Sequence, residues 1–157
     1  MFGSGGEIDM ITKLVLIRHG VTKCNRERRY CGFLDVVLSP EGKEQARKLH
    51  LRLKKENFDK IYCSDLKRAQ QTAKIVFRNK KVIQEKDLKE INFGVFEGLS
   101  YDEIMQKYPD IYSNWVKHPY KFKIPEAETM SGFKKRINTA IKKIVRLNKG
   151  KTVAVVC

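Results

Sequence analysis

Four short apolar runs divide the chain and predict buried strands at about residues 12–17, 59–63, 81–85 and 151–157. Buried strands of parallel sheets have this near-continuous apolar character, rich in β-branched side chains. The first run stops abruptly at Arg18, His19 and Gly20. We therefore expect the carboxyl end of the first strand to present two polar side chains at one edge of a sheet.

Helical patterns lie between these strands. One begins at residues 39–41, where a serine cap precedes a proline and an acidic residue of the first turn. A second begins at Asp65, and a third runs over about residues 129–148 with apolar side chains along one face. Alternating strands and helices predict an α/β fold, a three-layer sandwich with a mostly parallel sheet and helices on both faces.

Residues 91–128 have a different character. They hold three of the four prolines and the single tryptophan, Trp115, and short helices broken at Pro109 are expected between residues 103 and 115. An excursion of this kind beside an α/β sheet predicts a lid or a wall that contributes to specificity.

Length and composition favour one domain in the cytoplasm. The first nine residues have the composition of a flexible leader or tag, and residues 10–157 are expected to form a single domain. No apolar run approaches the roughly 18 residues of a membrane span, and the first residues lack the basic region and apolar block that are typical of a secretory signal. The four cysteines show no C-x-x-C spacing, so reduced thiols are expected.

The formal net charge is +15, from 33 Lys and Arg against 18 Asp and Glu. A positive field of this size helps to steer a phosphate ester or inorganic phosphate toward a basic pocket. The lysines are scattered over the predicted helices, and clusters such as residues 134–136 are expected on solvated helix faces. Because no basic stripe with interleaved aromatic residues occurs, neither nucleic acid nor a membrane is an expected partner.

A motif of hydrogen-bonding residues follows the first predicted strand. Arg18, His19, Gly20, Thr22 and Asn25 fit the pattern Arg-His-Gly-x-Thr-x-x-Asn. The guanidinium of Arg18 matches the oxygens of a phosphoryl group, and the glycine lets the backbone turn sharply. Thr22 and Asn25 can donate hydrogen bonds to phosphate, although both are also common loop residues. The motif predicts phosphate binding.

Two further motifs follow the second and third predicted strands. A Ser-x-Leu-x-Arg-Ala-x-x-Thr segment puts Arg68 in the first turn of a helix, where backbone N–H groups also attract anions. A Leu-x-Glu-x-x-Phe-Gly-x-x-Glu-Gly segment contains Glu90 and Glu97. Because the carboxyl ends of parallel strands meet at one edge, we expect Arg68 and Glu90 to lie near Arg18 and His19.

Together the three motifs resemble the histidine phosphatase superfamily, also called phosphoglycerate-mutase-like, over nearly the whole chain. The resemblance is greatest to its small-metabolite phosphatases, such as α-ribazole phosphatase. It implies a metal-independent phosphomonoester hydrolase, without a cofactor, that acts on a small phosphorylated metabolite. It also implies that His19 is the nucleophile and forms a phosphohistidine, and that Arg18 and Arg68 hold the phosphoryl group. Glu90 corresponds to the proton donor, whereas Glu97 matches a structural loop position.

The same resemblance leaves alternatives open. Mutases of the family usually have Ser at the position of Thr22 and a longer insertion, so a phosphatase is favoured over mutase-type phosphoryl transfer. The family also has a second catalytic histidine directly after the strand that ends here at Cys157, followed by elements that close the fold. We therefore expect a domain that is incomplete at its C-terminus, and the alternative to an active enzyme is an impaired remnant that binds phosphate.

Overall fold

The computed structural model describes residues 11–157, so the predicted leader at residues 1–9 lies outside the described residues. The strands are β1 (Lys13–Ile17), β2 (Lys60–Cys63), β3 (Ile83–Gln84) and β4 (Thr152–Val156). The helices are α1 (Lys23–Arg26), α2 (Pro40–Leu53), α3 (Lys67–Val76), α4 (Tyr101–Lys107), α5 (Pro109–Lys117) and α6 (Met130–Leu147). Short 3₁₀ turns occur at Lys86–Leu88 and Gly94–Phe96.

All four strands are parallel and lie in the order β1-β4-β2-β3. Val156 is paired with Ile17 on one side and with Cys63 on the other, so β1, β4 and β2 end level with one another. The predicted α/β fold is confirmed. β3 is shorter than the predicted strand at 81–85, because this edge strand has one neighbour and only two of its residues pair with β2.

Side chains alternate between the two faces of the sheet, as the twofold period of a strand requires. The face covered by α2 and α3 contains Ile17, Ile61, Cys63, Ala154 and Val156. The face covered by α6 contains Tyr62, Val153 and Val155. Each face therefore has its own apolar core, and the central strands are buried on both sides.

The beginning of α3 differs from the prediction. The helix starts at Lys67 and not at Asp65, because the carboxylate of Asp65 pairs with Lys89 at 3.1 Å and caps no helix. Asp35 supplies the missing cap, since its Oδ1 accepts a hydrogen bond from the backbone N–H of Lys67 at 2.7 Å. A carboxylate distant in sequence thereby ties the loop before α2 to the N-terminus of α3.

The excursion at 91–128 forms a third core beside the sheet. As predicted, two short helices meet at Pro109, which is the first residue of α5. Five aromatic rings pack against one another with centroid separations between 5.2 and 6.3 Å. These are Tyr30, Phe93, Phe96, Tyr112 and Trp115.

None of the helices between residues 11 and 157 combines the length and the apolar character needed to cross a membrane. The cytoplasmic location remains a prediction.

Candidate active site

The carboxyl ends of the strands surround a cleft of about 510 Å³. Arg18 and His19 directly follow β1, Arg68 lies in the first turn of α3, and Glu90 follows the 3₁₀ turn after β3. All four side chains line this cleft, which we call the histidine cleft. The structure thus brings together residues that are up to 72 positions apart in the chain, at the edge where ligands bind in parallel α/β sheets.

Two hydrogen bonds fix the tautomer of His19. Its Nδ1 lies 2.8 Å from the backbone oxygen of Gly20, which can only accept, so the proton is on Nδ1. The Nε2 atom accepts a hydrogen bond from Nε of Arg68 at 3.1 Å. Nε2 therefore carries a lone pair, as a nucleophilic nitrogen must.

The surroundings of His19 favour the neutral imidazole. Burial lowers its pKa below the ordinary value, and the positive charges of Arg68 and Arg18 act in the same direction. The hydrogen bond to Gly20 and the charge of Glu90 oppose this shift without reversing it. At neutral pH the imidazole is therefore unprotonated at Nε2.

Arg68 is buried, with 2% of its surface exposed, and all its N–H groups have partners. Besides His19, these partners belong to residues 31–34, which we call the carbonyl loop. Nη2 donates to the backbone oxygens of Gly32 at 2.7 Å and Cys31 at 3.4 Å, and Nη1 donates to that of Leu34 at 3.0 Å. The guanidinium is held in one orientation against Nε2.

Arg18 and Glu90 are exposed, in contrast to Arg68. They line the histidine cleft and also a neighbouring cleft of about 450 Å³. Asn25, Tyr30 and Tyr101 also line this second cleft. Glu90 Oε1 accepts a hydrogen bond from the N–H of Ile91 at 2.9 Å, so a second carboxylate oxygen is available to a ligand.

Thr22 and Asn25 form a capping box around α1, a helix that the sequence analysis did not predict. The Thr22 hydroxyl donates to Oδ1 of Asn25 at 2.9 Å and accepts from its backbone N–H at 3.3 Å. Thr22 is 1% exposed and lies outside the walls of both clefts, whereas Asn25 reaches the second cleft. The geometry of Thr22 is that of a helix cap.

The backbone around His19 is fixed by two close contacts. A Cβ atom at Gly20 would lie 2.4 Å from the backbone oxygen of Gly42 in α2, so only glycine fits there. The N–H of Gly20 donates to the hydroxyl of Thr72 in α3 at 3.1 Å. The backbone N–H of His19 also donates to the oxygen of Cys157 at 2.8 Å, which joins the ends of β1 and β4.

Sequence reasoning missed Arg136. Its expected place on a solvated helix face is wrong, because the side chain is 18% exposed and pairs with Glu128 through two oxygens at 2.6 and 2.9 Å. It also donates to the backbone oxygens of Asp87, Lys89 and Glu90 at 2.8 to 3.2 Å. Arg136 thereby holds the segment that presents the Glu90 carboxylate. Backbone acceptors leave no residue-type signal, so only the Glu128–Arg136 charge pair could have indicated the contact.

Within the part of the chain that the structure describes, no three His, Cys, Asp or Glu side chains cluster as ligands for a metal ion. The charged and titratable side chains that line the histidine cleft are Arg18, Arg68, Lys89, His19, Glu90 and Cys157. Guanidinium groups are able to bind the oxygens of a phosphoryl group, and a carboxyl group is able to give or take a proton.

The fold and the site define a parallel α/β protein with a neutral histidine in a basic cleft. The family profile of the histidine phosphatase superfamily (branch 1) matches residues 14–157. The chain therefore belongs to this superfamily. The family, the fold and the enzyme class are confirmed as predicted, since relatives of this family are named phosphatases, one of them a metal-independent phosphoserine phosphatase of Arabidopsis thaliana.

Individual relatives carry phosphatase and mutase names. The chain is 35% identical over 148 residues to phosphoserine phosphatase 1 of Hydrogenobacter thermophilus, covering 93% of this chain and 70% of that protein. It is 35% identical over 149 residues to phosphoglycerate mutase-like protein 4 of Arabidopsis thaliana, covering 92% of this chain and 65% of that protein. A crystal structure of a putative alpha-ribazole-5'-P phosphatase from Escherichia coli matches with a TM-score of 0.85 at 32% identity, covering 91% of this chain and 71% of the other.

Proposed function

We propose that this protein hydrolyses a phosphomonoester of a small metabolite through a phosphohistidine at His19. The observation that carries the proposal is the state of its Nε2 atom, which is unprotonated and faces a cleft lined by two arginines and a carboxylate. The names of relatives, which include phosphoserine and alpha-ribazole phosphatases, support a small phosphorylated substrate.

In the first half-reaction, Nε2 of His19 attacks phosphorus, the N–P bond forms and the ester P–O bond breaks. The Nδ1–H bond to Gly20 stabilises the positive charge that develops on the ring. Arg18 binds the phosphoryl oxygens, and the Arg68 Nε–H that occupies Nε2 in the free protein turns to an oxygen of the phosphoryl group. Glu90, in its protonated form, gives its proton to the leaving oxygen, so an alcohol departs.

In the second half-reaction, the carboxylate of Glu90 takes a proton from water while the water oxygen attacks phosphorus. The N–P bond breaks, inorganic phosphate is released, and both Glu90 and His19 return to their starting states. The second cleft shares Arg18 and Glu90 with the histidine cleft. The second cleft is the proposed site of the leaving group, because Glu90 reaches it as well as the histidine cleft.

The test measures both turnover and the covalent intermediate. We expect the wild type to hydrolyse p-nitrophenyl phosphate and to retain label from a ³²P-phosphoryl ester after quenching in base, in which phosphohistidine is stable. His19→Ala should lose both signals. His118→Ala is the matched control, because that histidine is exposed at the end of α5 and lines neither cleft.

Equal turnover by the wild type and His19→Ala contradicts the proposal. Phosphate binding without turnover or label favours the impaired remnant. Transfer of the label to a phosphoglycerate acceptor in preference to water favours the mutase reaction instead, which the name of one relative also suggests.

Glu90→Gln should slow the hydrolysis of alkyl phosphates more than that of activated aryl phosphates, because only poor leaving groups need the proton. An equal loss of turnover on both kinds of substrate would show that Glu90 is not the proton donor.

A further inference from the structure

Glu97 makes an unusual set of contacts for a residue outside both clefts. Its carboxylate accepts hydrogen bonds from four backbone N–H groups, at 2.8 to 3.1 Å. Three of these belong to the carbonyl loop, namely those of Gly32, Phe33 and Leu34, and the fourth is that of Phe93. One carboxylate thus organises the loop that holds Arg68.

Two successive peptide groups of this loop lie between the two charges. The peptide of Gly32 and Phe33 gives its oxygen to Arg68 at 2.7 Å and its N–H to Glu97 at 2.8 Å. The peptide of Cys31 and Gly32 gives its oxygen to Arg68 at 3.4 Å and its N–H to Glu97 at 3.0 Å. Each peptide dipole points its positive end at the carboxylate and its negative end at the guanidinium. Chains of this kind polarise one another and strengthen each bond.

The tight backbone geometry supports the arrangement. A Cβ atom at Gly32 would lie 1.7 Å from the backbone oxygen of Ile91 and 2.7 Å from Oε1 of Glu97. Only glycine brings the loop this close to the carboxylate. The position of the loop carbonyls is therefore set on one side by Glu97 and on the other by Arg68, whose Nε reaches His19.

We propose that Glu97 is a positioning residue that acts through the carbonyl loop and Arg68 to fix the tautomer and the proton affinity of His19. Its effect on turnover rests on the proposed function, whereas its effect on the imidazole does not. The charged groups that act on His19 directly are Arg68, Arg18 and Glu90. Glu97 reaches the ring only through its contacts with the loop.

The direction in which the pKa of His19 changes distinguishes positioning through Arg68 from a direct electrostatic effect of the Glu97 charge. Removing a negative charge near a histidine lowers the pKa of that histidine. Releasing Arg68 from Nε2 has the opposite effect, because a hydrogen-bond donor and a positive charge are both withdrawn. Glu97→Gln should therefore raise the pKa of His19 toward or above its ordinary value and should allow a proton on Nε2. A purely structural role predicts loss of stability without this shift.

The experiment follows the three histidines by ¹⁵N–¹H NMR across a pH titration, with His19 assigned from the spectrum of His19→Ala. Arg68→Met gives the full change in the pKa of His19 that loss of the guanidinium causes, and so serves as the reference for Glu97→Gln. The double variant Glu97→Gln/Arg68→Met should show no further shift, because both substitutions act on one chain of contacts. Glu126→Gln is the matched control, since this exposed glutamate of the same excursion lines neither cleft.

An unchanged or lowered pKa of His19 in Glu97→Gln overturns the proposal, as does an additive shift in the double variant. If Glu97→Gln does not fold, Glu97→Asp decides the matter, because a carboxylate shorter by one methylene cannot reach all four N–H groups. Its His19 shift should then be smaller but in the same direction, and a folded Glu97→Asp without a shift is equally decisive against the proposal.

Turnover on p-nitrophenyl phosphate separates the two proposals. We expect kcat of Glu97→Gln to fall about 10- to 100-fold while KM changes little, because the substrate-facing Arg18 is untouched. If the wild type has no turnover, the proposed function fails and the NMR titration still tests Glu97. If the wild type turns over and Glu97→Gln has a wild-type His19 spectrum, the proposed function stands and this inference fails.

Discussion

The two arginines beside His19 differ in almost every physical respect. Arg68 is buried, its N–H groups are all occupied, and its orientation is set by backbone carbonyls. Arg18 is exposed, and within residues 11–157 its guanidinium has no hydrogen-bond or ion-pair partner. A fully partnered cation orients its neighbours, whereas a cation without partners is available to a ligand. Of two basic residues in one cleft, one is therefore held in place by the protein before a ligand binds, whereas the other is left free to receive the ligand.

The largest effect is expected when the buried arginine is removed. Arg68→Met should lower kcat by about 10³-fold, because His19 loses the donor that keeps Nε2 in place and the phosphoryl group loses a cation. It should also lower the free energy of unfolding by about 2–4 kcal/mol, since several buried carbonyls lose their donors. Steady-state kinetics and urea denaturation measure the two effects. A stable Arg68→Met protein would show that the carbonyls find other partners and that Arg68 does not hold the loop.

Removal of the exposed arginine should act on binding. Arg18→Met should raise KM about 10- to 100-fold and weaken inhibition by inorganic phosphate to a similar extent. The free energy of unfolding should change by no more than about 0.5 kcal/mol, because no hydrogen bond or ion pair of the described chain is lost. Calorimetry with phosphate and urea denaturation give both values. A stability loss equal to that of Arg68→Met would end the distinction between the two residues.

The smallest effect concerns pH. Neutral His19 is the reactive form, so kcat/KM should be present above its pKa and lost as the pH falls through it. Burial and then Arg68 and Arg18 lower this pKa from 6.5, so the acid limb should lie below pH 6.5. Arg68→Met should move the limb to higher pH, and Arg18→Met should move it less far. The pH dependence of kcat/KM, measured for each variant, tests this order. A larger displacement of the acid limb in Arg18→Met than in Arg68→Met would contradict it.

The sequence predicted those site residues that lie in short contiguous motifs directly after a strand. Arg18 and His19 follow an apolar strand, and Arg68 and Glu90 each stand in a motif after a later strand. Parallel topology then brings these positions to one edge, so the gathering of four side chains in one cleft could be expected before the structure was known. Their individual roles in catalysis stay predictions.

The supporting contacts could not be predicted, because they run through the backbone. Arg68 and Arg136 donate to backbone carbonyl oxygens, and Glu97 accepts from backbone N–H groups, which every residue type except proline offers. The 63-residue separation between Glu97 and Leu34 also gives no periodic signal. Thr22 has a structural role that was not predicted, since it forms a capping box with Asn25, and its predicted contact with phosphate stays a prediction.

The aromatic core has a practical consequence for experiments. Trp115 is the single tryptophan of the chain. Its ring lies edge-on to Tyr30 and to Phe93, with centroid separations of 6.2 Å in both cases, and these two rings line the second cleft. The protein therefore contains its own optical reporter. Tryptophan emission can follow occupancy of the second cleft in unlabelled protein, on a stopped-flow timescale, independently of the chemistry at His19.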